Sequence, residues 1–130
     1  MNELYIEANV ENIDAVLDFI SEYTKDCVPK VRNQIEIAVD EIFSNIARYA
    51  YSPEVGFAMV RVAVGDDITI EFEDSGMIYD PFSKEDPELA PTAAERKIGG
   101  LGVFLVKNIM DSAEYEHKDG KNVLTIKKSI

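Results

Sequence analysis

The chain is poor in the residues that most metal, redox and nucleic-acid functions depend on. It has one cysteine, Cys27, one histidine, His117, and only 13 basic against 25 acidic side chains in 130 residues, a net charge of −12. A single thiol cannot close an internal disulfide or build a multi-thiolate metal site, which suits a reducing compartment. Cys27 therefore reads as a small buried hydrophobe, and His117, near the end of an expected strand, as a surface or core residue. The acid excess argues against DNA or anionic lipid held on a basic surface, because phosphate neutralisation needs clustered Lys and Arg. Tyr5, Tyr23, Tyr51, Tyr79 and Tyr115 are scattered along the chain, so no stacking platform for single-stranded nucleic acid is expected. No apolar run approaches the ~20 residues that cross a bilayer. Met1-Asn2-Glu3-Leu4-Tyr5 has no basic stretch followed by an apolar core, and a cytoplasmic protein with no membrane partner is expected.

What is present is enough apolar material, 46% of residues, for one domain over 1–130 that buries roughly two-thirds of its unfolded surface. Leu4, Ile6 and Ala8 alternate with polar neighbours as a short strand over 3–8. Asn9 or Asn12 can cap a helix whose apolar positions Ile13, Val16, Leu17, Ile20 and Tyr23 follow three- and four-residue steps, ending near Pro29. Val31, Ile35, Ala38, Ile42, Phe43 and Ile46 predict a second helix over 30–50, stopped by Ser52-Pro53. The period then changes to two, and 57–74 reads as a hairpin turning at Gly65-Asp66-Asp67. Residues 83–98 hold two prolines and mixed charge without an apolar period, which predicts a long lid or binding loop. A helix from Val103 to Met110 and strands at about 112–117 and 122–128, joined by Asp119-Gly120, complete the chain. The fold class expected is α+β, a two-layer sandwich of a mixed or antiparallel sheet with helices on one face.

Three places could carry chemistry. Glu41 and Asn45 share a helix face at a four-residue step, beside the apolar stripe. A carboxylate and an amide oxygen suit a hard cation such as Mg²⁺, which keeps waters and needs few protein ligands; the same pair also reads as a solvated helix face. Asp74-Ser75-Gly76 closes a strand. A buried carboxylate there can accept from an exocyclic amine such as that of adenine, and a glycine admits a flat ring, although Asp, Ser and Gly equally make an ordinary turn. Gly99-Gly100-Leu101-Gly102 leads into a helix whose N-terminus, with about half a positive charge, stabilises phosphate. Arg96 and Lys97 precede it, and the alternative is a hinge that permits close packing.

In this order the three motifs resemble the GHKL ATPase superfamily, and most of all its small bacterial anti-sigma factor serine kinases. The likeness runs through Ala38-Val39-Asp40-Glu41-Ile42-Phe43-Ser44-Asn45, Asp74-Ser75-Gly76 with Asp80-Pro81-Phe82, and Gly99-Gly100-Leu101-Gly102-Val103-Phe104-Leu105-Val106. It ends in Gly120-Lys121-Asn122-Val123-Leu124-Thr125. The resemblance implies the histidine kinase-like ATPase fold, ATP and Mg²⁺ as cofactors, Asn45 on the metal, Glu41 polarising the attacking hydroxyl and Asp74 reading the adenine amine. Gly76 would lie against the ring, and Gly100 and Gly102 with the lid would enclose the phosphates. Arg96, Lys97, Gly99 and Leu101 belong to that phosphate segment. It further implies a protein serine/threonine kinase that sequesters a sigma factor and phosphorylates a serine of an antagonist protein, in a family where homodimers are common. No phosphoacceptor histidine in a dimerisation helix is present, which sets the chain apart from a complete sensor histidine kinase.

Two positions depart from the family pattern. Ile78 stands where many members have a second glycine, and Tyr49 where several anti-sigma kinases have histidine. They motivate an alternative, a non-catalytic nucleotide-binding interaction module, and a third reading is an ATPase with water as acceptor.

Overall fold

The computed structural model describes residues 1–52, 54–83 and 100–130. Five strands form one sheet in the order β1-β2-β3-β5-β4, from β1 (Asn2–Glu7), β2 (Phe57–Val64), β3 (Asp67–Asp74), β4 (Ser112–Lys118) and β5 (Lys121–Ser129). Every pairing is antiparallel, which settles the open choice between a mixed and an antiparallel sheet. For β2–β3 and β4–β5 the two-residue connections dictate this, since such turns join antiparallel neighbours only. At Asp119 and Gly120 both φ angles are positive, 54° and 78°, the twist a two-residue hairpin requires.

Alternation along each strand sends one set of side chains to the core. Ala58, Val60, Val62, Ile68, Ile70, Phe72, Leu124 and Ile126 are buried, and they pack in one cluster with Val16, Ile20, Ile35, Ala38, Val39, Ile42, Phe43 and Val106 of three helices and with Met110 just after the third. Those helices are α1 (Ile13–Ser21), α2 (Pro29–Asn45) and α3 (Gly100–Ile109). The opposite face of the sheet is half-open and carries charge. Arg61 reaches Glu3 at 2.6 Å, Glu71 at 3.0 Å and Glu73 at 2.5 Å, and Lys121 reaches Glu73 at 2.9 Å, so one ladder crosses four strands.

The expected boundaries shift for local reasons. The first helix ends at Ser21, not near Pro29, because Ser21 Oγ turns back to the Asp18 carbonyl at 2.7 Å and the chain continues in turns. Tyr23 nevertheless stays on the core, edge-on to Phe19. Pro29 opens α2 instead of closing α1, taking the first helical position, where its missing N–H costs nothing. The second helix does reach residue 50, but its last turn, Ile46–Ala50, is π-helical. The third helix begins at Gly100, so Gly100, Leu101 and Gly102 form its first turn and are not a loop ahead of it. Ser83 closes a 3₁₀ turn, Pro81–Ser83; the rest of the expected lid, with Arg96, Lys97 and Gly99, lies outside the described residues.

Phe43 is fully buried between α2 and the sheet. Phe43→Ala should lower the unfolding free energy by about 3–5 kcal/mol, the usual cost of truncating a core aromatic, as measured by urea denaturation.

Candidate functional site

A cavity of about 260 Å³ opens between α2, α3 and the ends of β3 and β5. Glu41, Asn45 and Tyr49 line it at successive four-residue steps of α2 and its π turn, together with Ile42, Ile46 and Ala50. Phe72 and Asp74 of β3, Val103 and Val106 of α3, and Asn122 and Leu124 of β5 form the other walls. Met77, Ile78 and Tyr79 also line it and are all exposed. The cavity is a mostly apolar slot with a few polar groups, the composition of a small-molecule site. Its described lining carries two carboxylates, Glu41 and Asp74, and no Lys or Arg.

Asp74 is buried at the end of β3. Its Oδ1 accepts from Asn122 Nδ2 at 2.9 Å and from the Gly76 N–H at 2.9 Å. Its Oδ2 takes no bond from the described residues, and no buried side-chain oxygen among them lacks a partner, so Oδ2 keeps contact with solvent, and Asp74 lines the cavity. Burial pushes the Asp74 carboxyl above the usual carboxylate range; the bonds from Asn122 and Gly76 pull it back, and the neighbouring charge of Glu73 adds to the rise. Glu73 itself is held low, first by its bond to Arg61 and then, against some burial, by Lys121.

Asn122 is the buried amide that holds this carboxylate. Besides Asp74, its Nδ2 donates to the Met77 carbonyl at 2.9 Å, while its Oδ1 accepts from the Tyr79 N–H at 3.4 Å and from the Tyr115 hydroxyl. Both donors and the acceptor are thereby occupied, and the amide positions its neighbours while having no donor left for a ligand. In the sequence Asn122 is marked only by being a polar side chain at an inward position of the alternation Asn122, Leu124, Ile126.

Gly76 and Gly102 have steric roles the spacing alone did not reveal. Gly76 is not on the cavity wall. A Cβ there would run into the backbone of Ala50, so the glycine lets the Asp74 turn close against the π turn, where the Met77 N–H donates to the Ala50 carbonyl at 2.9 Å. A Cβ on Gly102 would overlap the Glu41 carboxylate, so the first turn of α3 meets the acid of α2 directly. Gly100 stands in that same turn with Leu101. Among the described residues no three His, Cys, Asp or Glu converge as a metal cage; Asn45, with Glu41 on the same wall, offers oxygen donors of the kind a phosphate-held Mg²⁺ accepts. His117 is exposed on β4, away from the cavity wall.

Two outcomes follow from this geometry. Asn122→Ala removes a bond that lowers the Asp74 pKa, so a carboxyl-carbon NMR titration should find that pKa higher than in the unchanged protein. The variant should lose about 1–3 kcal/mol of stability. A carboxyl whose folded pKa is raised contributes stability below its unfolded pKa and loses it as pH rises through the folded value, so this loss should grow as pH rises through the raised Asp74 pKa and shrink on acidification. Gly102→Ala should force Glu41 to a new rotamer, visible as a shifted Glu41 carboxyl resonance.

Comparison with known proteins identifies the domain family. Residues 6–128 match the sequence profile of the histidine kinase-like ATPase domain. The serine/threonine-protein kinase BtrW of Bordetella bronchiseptica is 26% identical over 99 residues, covering 75% of this chain and 70% of that protein. The serine-protein kinase RsbW of a Bacillus cereus strain is 29% identical over 99 residues, covering 72% of this chain and 61% of the relative's length. No described helix is long and apolar enough to cross a membrane. With a five-stranded antiparallel sheet, helices on one face and a match across nearly the whole sequence, this chain belongs to the histidine kinase-like ATPase domain family.

Proposed function

We propose that this protein is an ATP-dependent serine kinase that acts as an anti-sigma factor, with its catalytic site in the α2–α3 cavity. The observation that carries the reading is the presence of Glu41, Asn45 and Asp74 on the walls of one cavity. Asp74 Oδ2 accepts a hydrogen bond from the adenine amine, and the apolar side chains of Phe72, Val106 and Leu124 cover the ring. Asn45 offers its amide oxygen to Mg²⁺, which with the nucleotide bound would offset charge on the phosphates. The N-terminal turn of α3, with Gly100, Leu101 and Gly102, turns backbone N–H groups toward the phosphate end. Arg96, Lys97 and Gly99, in the segment before it, belong to the same reading as contacts to the phosphates.

In transfer, Glu41 receives the proton of a serine hydroxyl as its oxygen bonds to the γ-phosphorus and the bond to ADP breaks. The catalytic work of such sites is largely positioning and charge stabilisation. The protein partners are a sigma factor, held in the nucleotide-bound state, and a small antagonist whose serine is phosphorylated; a homodimer and a cytoplasmic setting belong to the same reading. The support is the likeness to relatives named serine kinases, together with the cavity.

Asp74→Asn keeps an acceptor at the Oδ1 position but replaces Oδ2 by a donor. Micromolar MgATP binding, measured by calorimetry, should disappear in this variant. Because it removes a desolvated charge, its thermal stability at pH 7 should equal or exceed that of the unchanged protein, the gap widening as pH rises through the raised Asp74 pKa. No binding by the unchanged protein at millimolar nucleotide would reject the reading. Glu41→Ala should retain MgATP binding and lose about 10²–10⁴-fold in phosphoryl transfer to the antagonist, followed with labelled ATP. Ile78 and Tyr49 on the cavity wall favour a second reading, a nucleotide-binding module without turnover; tight MgATP binding with no label on any partner would select it.

A further inference from the structure

Asp74 reads a base only if its turn is held still, and one residue outside the cavity wall holds it. We propose that Tyr51 is a positioning residue for base recognition, fixing the Asp74-Ser75-Gly76 turn against the end of α2 so that the cavity selects an exocyclic amine over a carbonyl. The proposal rests on the nucleotide reading above.

Tyr51 follows the π turn directly. Its hydroxyl donates to the Phe57 carbonyl at 2.7 Å and accepts from the Ser75 N–H at 2.8 Å. One oxygen thus ties the start of β2 to the residue after Asp74. The ring lies so close over Gly56 that any Cβ there would strike it. Burial pushes the phenol above its ordinary range, so the proton needed for the Phe57 bond stays in place at neutral pH. Next to it, Ala50 meets Gly76 and accepts from the Met77 N–H. The turn is therefore gripped from the helix side by Ala50 and Tyr51 and from the sheet side by Asn122, whose amide holds Oδ1 and leaves Oδ2 unengaged by the described residues.

A carboxylate accepts hydrogen bonds and donates none, so adenine, with its amine, is retained, whereas hypoxanthine, with a carbonyl at that carbon, sets acceptor against acceptor. Polar discrimination of this kind depends on alignment. Loosening the turn should therefore erode selectivity before it affects contacts with phosphate. Both bonds made by the Tyr51 hydroxyl lie at exposed positions; water can replace it, and the fold should survive its removal.

The test uses calorimetric binding of MgATP, MgITP and magnesium tripolyphosphate to the full chain and to Tyr51→Phe. MgATP affinity should fall roughly tenfold and the ATP-to-ITP preference by a similar factor, with tripolyphosphate affinity unchanged. Gly56→Ala, which displaces the ring and keeps the hydroxyl, should change the preference in the same direction; if that variant does not fold, Tyr51→Phe decides alone. Unchanged MgATP affinity and preference in Tyr51→Phe would overturn the proposal, and so would an equal loss for all three ligands, which marks a general structural role. An unchanged protein that binds MgATP and MgITP alike would also overturn it. Failure of the unchanged protein to bind MgATP at all would remove the nucleotide reading, and this proposal with it.

Discussion

The site depends on a carboxyl group buried at a strand end. Asp74 loses hydration where β3 terminates, and among the described residues two donors, the Asn122 amide and the Gly76 N–H, replace the lost water. An isolated buried charge would neutralise or reorganise its surroundings. Holding one oxygen with two bonds leaves the other unengaged by the described residues. Everything else about the cavity follows from where that second oxygen can look.

The two faces of the sheet cooperate in this. Asp74 and Glu73 are consecutive, so alternation sends one to the cavity and the other to the outer face. There Arg61 and Lys121 neutralise Glu73, limiting the like-charge pressure that would push Asp74 further toward its neutral form. The ladder from Glu3 through Arg61 to Lys121 has its own modest stabilising effect as a partly exposed network. Its larger contribution is electrostatic, since in a chain of net charge −12 it keeps a cation beside the acidic end of β3.

Much of the architecture was legible in the sequence because it rests on periodicity. The hairpin over 57–74, the inward sets of β2, β3 and β5, and the pairing of Glu41 with Asn45 across one helical turn all follow from alternation or a four-residue step. Asp74 was legible because a strand pattern ended on it. The π turn was not: Ile46–Ala50 continues a helical pattern, and widening it by one residue leaves no mark in residue type. Tyr51 was equally silent, since its partners Gly56, Phe57 and Ser75 are brought together by a crossing of helix and sheet. The close approach of Gly76 to Ala50 was silent too, since the two meet only where the turn after β3 packs on the end of the second helix.

The tight connection at Asp119 and Gly120 reaches further than its exposed position suggests. Left-handed backbone at two adjacent residues sets which residues of β4 and β5 stand opposite each other, placing His117 across from Asn122 and Tyr115 across from Leu124. Sliding β5 by one residue along β3 would exchange its two faces, turning Asn122 outward and bringing Val123 to the cavity. A loop with no ligand contact thus carries part of the chemistry's specification: lengthening it by one residue would threaten the amide beside Asp74 while leaving the sheet's composition untouched.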